Sequence, residues 1–229
     1  MLVEKNLQKY LVLSHGEKLE TYLDEAQANL LETDFIDDPL VDIRTLKNAR
    51  CLIFDENIPN YMIRKALGEK IIQVAVILKS LNLGLKIYEL YRSLTKQTLE
   101  FNQVKTDFIK KYPELIEKQI WEKVTEFIAD PALRPPHVTG GAVDLCLVDE
   151  HGLELDMGTP MNSIDLKSYL TCKDISLEAL TNRSLLLKLM LSVNLAPLPS
   201  EWWHYSFGEN YWAAFYNEKV LYDTIDLKA

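Results

Sequence analysis

Apolar residues recur every three or four positions between residues 61 and 81. Ile63, Leu67, Ile71, Val74 and Leu78 share one face, which predicts an amphipathic helix packed against a sheet. Asn82 and Gly84 suit its stop, and residues 85–91 alternate as a strand does. A similar face of Leu19, Tyr22, Leu23, Ala26 and Leu30 predicts an earlier helix over 17–31. Residues 33–60 carry Asp, Pro and Asn at loop-like intervals around one short apolar run, 51–54. Further on, 95–129 is helical with a break at Pro113. The β-branched and apolar run 140–148 predicts a strand that turns at 149–152 into 153–155. Residues 182–193 are apolar nearly all round and should form a buried helix. Two short aromatic strands, 203–207 and 211–216, joined by 208–210, are expected to close the chain. Helices first and antiparallel strands later predict an α+β fold with a central, mainly antiparallel sheet packed by helices. Without a repeat, a low-complexity tract or a linker, residues 1–229 are expected to form a single domain.

Composition narrows the partners. Over 229 residues, 25 Lys and Arg against 34 Asp and Glu give a net charge of −9, and no block of consecutive Lys and Arg offers a phosphate-binding patch, so nucleic acid is not expected. The 48% apolar and 26% charged fractions are those of a globular protein. The longest apolar run, 74–78, falls far short of the ~20 residues that cross a bilayer. The start, 1–5, lacks a basic stretch followed by an apolar block, so no secretory signal and no membrane partner are expected. Cys51, Cys146 and Cys172 form no CxxC pair, which argues against a disulfide framework or a sulfur-ligated zinc site. Each reads as a small buried hydrophobe, and a cytoplasmic setting is expected.

Of the four histidines, His15 precedes a helix and His151 sits in a turn, so both read as exposed. The other two keep different company. His137 follows Pro135-Pro136 and precedes Gly140-Gly141, a stiff backbone next to a permissive one. Seven residues later Asp144 interrupts the apolar segment 142–147, where a carboxylate is costly unless it is paired or bound to a metal. Read alone, it serves equally as a structural aspartate held by backbone amides. Glu201-Trp202-Trp203-His204 is the second cluster, and read alone it is an aromatic core strand with incidental polar flanks. Within a strand, positions i and i+3 point oppositely, so a bend is needed for Glu201 and His204 to act together. Taken jointly, one Asp and two His suit zinc with a fourth position open, and a nearby carboxylate can accept a proton from water there. No HExxH is present, which excludes the common helical zinc-protease pattern.

His137-Val-Thr-Gly140-Gly-Ala142-Val-Asp144 followed by Glu201-Trp-Trp-His204 matches every fixed position of HxxGxAxD and ExWH, and so resembles the D-alanyl-D-alanine dipeptidases, within a wider group of zinc peptidases that includes D,D-carboxypeptidases. The resemblance extends through Asp42-Ile43-Arg44, the helix 61–81, residues 85–92, Met157-Gly158-Thr159 and Asn182 to Leu186, covering most of 40–216; residues 1–38 are only weakly matched and read as a helical extension. It implies that His137, Asp144 and His204 hold one zinc ion per chain in a cleft. It also implies that Glu201 is the general base toward zinc-bound water, and that Arg92 steadies the oxyanion of the tetrahedral intermediate. Tyr91, Thr159 and Asn162 are the candidates for substrate binding. The implied reaction is hydrolysis of D-Ala-D-Ala, a cell-wall dipeptide, to two D-alanines.

The chain also departs from that pattern. Pro135 stands where a serine is frequent, and Arg92-Ser93 replaces an arginine-proline pair. Thr45 to Asn48 replaces a tyrosine-bearing stretch. Asn162 occupies the place of an aspartate that meets the substrate's ammonium, with Asp165 a second candidate for that contact. An amide forms no ion pair, so part of a charge-assisted interaction is lost. Two alternatives follow: a related D,D-peptidase or carboxypeptidase acting on another cell-wall peptide, and a zinc-binding interaction protein without catalysis.

Overall fold

The computed structural model describes residues 30–125, 128–163 and 165–227; His15 and positions 17–29 of the helix expected over 17–31 lie outside the described residues. A five-stranded sheet organises the chain. In chain order its strands are β2 (Leu52–Phe54), β4 (Leu83–Glu89), β5 (Ala142–Asp149), β6 (Ala196–Leu198) and β7 (Glu201–Ser206), arranged spatially as β2-β4-β5-β7-β6. Only the β2–β4 pair is parallel. The other pairs are antiparallel, as the α+β reading expects. A small antiparallel ladder of β1 (Leu40–Asp42) and β3 (Met62–Arg64) stands beside it.

Helix α1 (Lys65–Lys79) starts later than the apolar period suggests, because the three residues ahead of it pair with β1 as a strand. Its phase is as expected: Leu67, Ile71, Val74 and Leu78 are fully buried, as is Ile63 just upstream. The remaining helices are α2 (Leu94–Lys111), α3 (Glu117–Thr125), α4 (Leu177–Ser192) and α5 (Asn210–Tyr216). The predicted break at Pro113 is the turn between α2 and α3. These two helices share an apolar cluster of their own around Phe101, Ile120 and Val124, separate from the main core. Helix α4 is amphipathic rather than apolar all round. Leu186, Leu187, Met190 and Leu191 are buried, while Leu177, Ser184 and Lys188 are exposed. Cys146 is buried, but Cys51 and Cys172 are only half-buried, so the expectation for the cysteines holds at one position of three.

The second aromatic strand, 211–216, is instead helix α5. The Glu209 carboxylate caps it, accepting hydrogen bonds from the amides of Tyr211 (2.8 Å) and Trp212 (2.7 Å) and from the Ser206 hydroxyl (2.6 Å). Trp212, Phe215 and Tyr216 then fall at helical spacing against the core. A run in which nearly every residue is apolar has no period to read, and the cap alone decides it. Replacing Glu209 with Ala removes the cap and strands a buried hydroxyl. The expected cost is about 2 kcal/mol in urea unfolding, with the fold retained.

Candidate metal centre

Three of the sheet's central residues stand in one row. In register, Glu89 on β4 pairs with Asp144 on β5, and Asp144 pairs with His204 on β7. His137 approaches from the short 3-10 turn Pro136–Thr139, which leads into β5. Gly140 ends that turn with φ of +73°, where a Cβ would lie 2.3 Å from Leu40 Cδ1. A Cβ at Gly141 would lie 2.6 Å from the Phe207 carbonyl oxygen. The glycine pair therefore lets the turn bring His137 back over the sheet.

His137, Asp144 and His204 are all buried, and one ligand atom from each lies within 4.8 Å of the others. The His137 Nδ1–H donates to the Leu90 carbonyl at 2.7 Å, which leaves the Nε2 lone pair directed at the Asp144 Oδ1, 3.3 Å away. His204 Nδ1 is 3.0 Å from that same oxygen, and His204 Nε2 is buried without a hydrogen-bond partner among the described residues. Several lone pairs thus converge on one point, an arrangement that a cation relieves. Two imidazole nitrogens and a carboxylate oxygen suit zinc with a position left open. The residues fit the group. Burial works to raise the Asp144 carboxyl, but the adjacent imidazoles outweigh it and hold it well below the usual carboxylate range. For His137 the Asp144 charge likewise overcomes desolvation and raises the imidazole.

Glu201 begins β7 and reaches the same cleft, its Oε2 4.0 Å from His204 Nδ1. The bend needed for positions 201 and 204 to cooperate is present: the β6–β7 register shifts between Pro197 and Leu198. A quarter of the Glu201 side chain stays open to the cleft. Burial, reinforced by the Asp144 charge, pushes its carboxyl up to about 7 against the opposing pull of His204 and Arg92. A carboxylate poised near neutrality is suited to accepting and returning a proton.

Arg92 follows β4, its amide donating to the His137 carbonyl at 3.1 Å. Its guanidinium pairs with both oxygens of Glu89, one through Nε at 3.0 Å and the other through Nη2, while Nη1 reaches Gln97 Oε1 (3.0 Å) and Glu100 Oε2 (3.2 Å). Three of its five N–H donors are hydrogen-bonded in this way, which leaves one Nη1–H and one Nη2–H without a hydrogen-bond partner among the described residues. Glu89, Gln97 and Glu100 escape a motif search. An acid three residues before the arginine, at a strand end, is the only trace of them in the sequence. Burial works to raise Glu89, but the bidentate hydrogen bond to Arg92 outweighs it and holds the carboxyl at about 2.

His137, Asp144, Glu201, His204, Arg92 and Asn162 all line one cleft of about 580 Å³. Tyr91 and Thr159 are not brought to it. The Tyr91 hydroxyl donates to the Ile225 carbonyl at 2.8 Å, and Thr159 Oγ1 accepts from the indole of Trp202 at 2.9 Å. His151 is exposed at its turn.

A family profile described as D-Ala-D-Ala dipeptidase (Peptidase_M15) matches residues 55–222. A D-alanyl-D-alanine dipeptidase of Synechocystis sp. (strain ATCC 27184 / PCC 6803 / Kazusa) is 33% identical over 112 residues, 44% of each chain. One of Escherichia coli (strain K12) is 29% identical over 99 residues, covering 42% of this chain and 51% of that one. The chain therefore spans about half the length of these relatives. The solved structure of the LdcB LD-carboxypeptidase aligns over 83% of this chain and 82% of that one, at 15% identity and a TM-score of 0.46.

Asp144→Asn is expected to weaken zinc binding at least ~100-fold by calorimetry, since even second-shell changes cost about 10–100-fold. Glu89→Ala leaves the Arg92 charge half-neutralised in a buried setting and should cost about 3 kcal/mol at pH 7. The folded Glu89 titrates at about 2 against an ordinary 4.5, so its contribution is complete above pH 4.5 and is lost as the pH falls toward 2. The difference between wild type and variant in urea unfolding should shrink over that window.

Proposed function

From the premise that this chain belongs to the peptidase M15, D-Ala-D-Ala dipeptidase family, we propose that it is a zinc-dependent D,D-peptidase hydrolysing the bond between two D-alanines, with zinc held by His137, Asp144 and His204. The observation that carries this reading is the convergence of the three ligand residues, Glu201 and Arg92 on one cleft.

A zinc ion held there lowers the pKa of a coordinated water from 15.7 to about 7 and polarises a carbonyl. Everything else falls to the chain's own residues. Glu201 takes the proton from the attacking water as the C–O bond forms. It returns a proton to the amide nitrogen as the C–N bond breaks, so that the leaving D-alanine departs as an amine. Arg92, which lines the same cleft, offers a fixed N–H donor to the developing oxyanion, and loss of one such donor costs ~3–4 kcal/mol. Glu89 takes no part in the chemistry. It is a positioning residue that presents the guanidinium in one orientation, and Gln97 and Glu100 brace it from α2. The Leu90 carbonyl does the same for the His137 ring.

A non-catalytic zinc-binding protein needs neither a second carboxylate facing the ligands nor an arginine held beside them. The test is release of D-alanine from D-Ala-D-Ala by the purified protein, after chelation and again with zinc restored. Zinc-restorable release is expected, and Glu201→Ala should keep stoichiometric zinc while losing several orders of magnitude in kcat. Turnover by that variant at near wild-type rate overturns the general-base assignment. Full zinc occupancy without turnover of any D,D-peptide overturns the enzymatic reading.

A further inference from the structure

One wall of the cleft has little core of its own. Asn162, Ser163, Asp165, Leu166 and Tyr169 line the cleft from the irregular segment 157–169, in which the 3-10 turn Leu166–Ser168 is the only regular element among the described residues. Between Met157 and Ser168 no described residue is fully buried, and Met161 touches the main core from a half-buried position. Asn162 holds a left-handed backbone, with φ of +57°. Few buried apolar contacts leave a segment prone to local opening, so its place in the fold depends on the hydrogen bonds that tie it down.

Those bonds converge on two side chains of neighbouring elements. Arg183 of α4 is 2% exposed, and its guanidinium donates to three carbonyls of the segment: Met157 through Nε (2.7 Å), Tyr169 through Nη1 (2.9 Å) and Lys167 through Nη2 (2.9 Å). The planar fork thus draws the two ends of the segment together at its neck. The same guanidinium lies over the Trp202 ring, 5.7 Å from its centroid. Trp202 stands on β7 between Glu201 and Trp203, which both line the cleft. Its indole N–H donates to Thr159 Oγ1 at 2.9 Å. Ser168 Oγ lies 3.3 Å from Thr159 Oγ1 and gives its one proton to the Ser163 carbonyl at 2.7 Å, so the Thr159 hydroxyl is the donor between the two. A directed chain of hydrogen bonds therefore runs from the strand that carries Glu201 to the cleft-lining Ser163, while Arg183, Trp202, Thr159 and Ser168 themselves stand behind the cleft.

We propose that Arg183, Trp202, Thr159 and Ser168 act as one brace that sets the cleft wall at Asn162, Ser163 and Asp165, and so determine how tightly substrate is held. They are positioning residues, acting on substrate only through that wall. The inference rests on the reading of the site as a zinc D,D-peptidase. His137, Asp144, His204, Glu201 and Arg92 all come from other segments. Loosening the wall should therefore cost substrate affinity and leave metal binding and the chemical step nearly intact.

The experiment measures kcat and KM of the zinc-loaded protein on D-Ala-D-Ala, binding of that dipeptide to zinc-loaded Glu201→Gln by calorimetry, and zinc affinity, each with and without a change in the brace. Thr159→Val keeps the shape of the side chain and removes the hydroxyl. It should raise KM and weaken calorimetric binding at least about ten-fold, with kcat within about three-fold and zinc affinity within about two-fold of wild type. Thr159→Ser restores the hydroxyl and should return KM to within about two-fold. Arg183→Lys keeps the charge but cannot span three carbonyls, and should raise KM in the same way; if it fails to fold, Thr159→Val decides. An unchanged KM in Thr159→Val overturns the inference. So does a parallel loss of zinc or of kcat, which would make the brace a general support of the fold, and so does a Thr159→Ser variant as impaired as Thr159→Val. All three outcomes leave the enzymatic reading standing. If the wild-type protein neither cleaves nor binds any D,D-peptide, the reading of the site fails and the inference fails with it.

Discussion

Asp144 is the residue on which the arrangement turns. It sits on the central strand of the sheet with Glu89 beside it on one neighbour and His204 beside it on the other. A slip of one residue in either ladder would send its partner to the opposite face of the sheet, because strand side chains alternate. The same register thus places the Asp144 carboxylate between the His204 imidazole and the acid that holds Arg92. Two carboxylates in adjacent register would repel each other if left alone. Glu89 is neutralised by Arg92 and Lys96, and Asp144 is flanked by its imidazoles, so each acid of the row has a cationic or imidazole partner of its own.

Support for that row comes from two directions. Behind the His137 turn, Arg64 is buried and donates to the carbonyls of Thr139 (2.8 Å) and Asp38 (2.7 Å), while its amide bonds the Gly140 carbonyl at 3.0 Å. The Asp38 carboxylate in turn accepts from the Tyr222 hydroxyl, so the turn is tied to both early and late parts of the chain. In front, the α2–α3 pair carries its own apolar cluster and meets the sheet through the polar set around Arg92. One wall of the cleft is therefore continuous with the main core, and the other is braced chiefly by charge and hydrogen bonds.

Much of this was legible in the order of residues, unevenly. The phase of α1 was readable because one face meets the sheet and the other meets water, so burial leaves a period of 3.6. Its first turn was not, since Ile63 is buried whether the backbone there is strand or helix. Residues 211–216 defeated the reading for a related reason: almost every side chain is buried, and only Glu209, capping from outside the run, separates helix from strand. Tyr91 and Thr159 lie beside motif residues in sequence yet turn their hydroxyls to Ile225 and Trp202. Both lie in irregular segments, Tyr91 past the end of β4 and Thr159 in a bend, where no motif records which way a side chain turns.

What the sequence determined by itself was the chemistry on offer: two histidines and an aspartate of the right type and order, glycines where the backbone must pass closely, and a glutamate three residues before the second of those histidines. Those are properties of residue identity and short spacing, and they survive without coordinates. Tertiary structure alone decided which groups remain free to act. Asp144 and His204 are sixty positions apart and meet only through strand register. Three of the five Arg92 donors are consumed by Glu89 of β4 and Gln97 of α2, and Glu89 is in turn spent on Arg92 and Lys96. Availability is set by what surrounds a side chain in space, and long-range pairing leaves no local mark in the order of the residues.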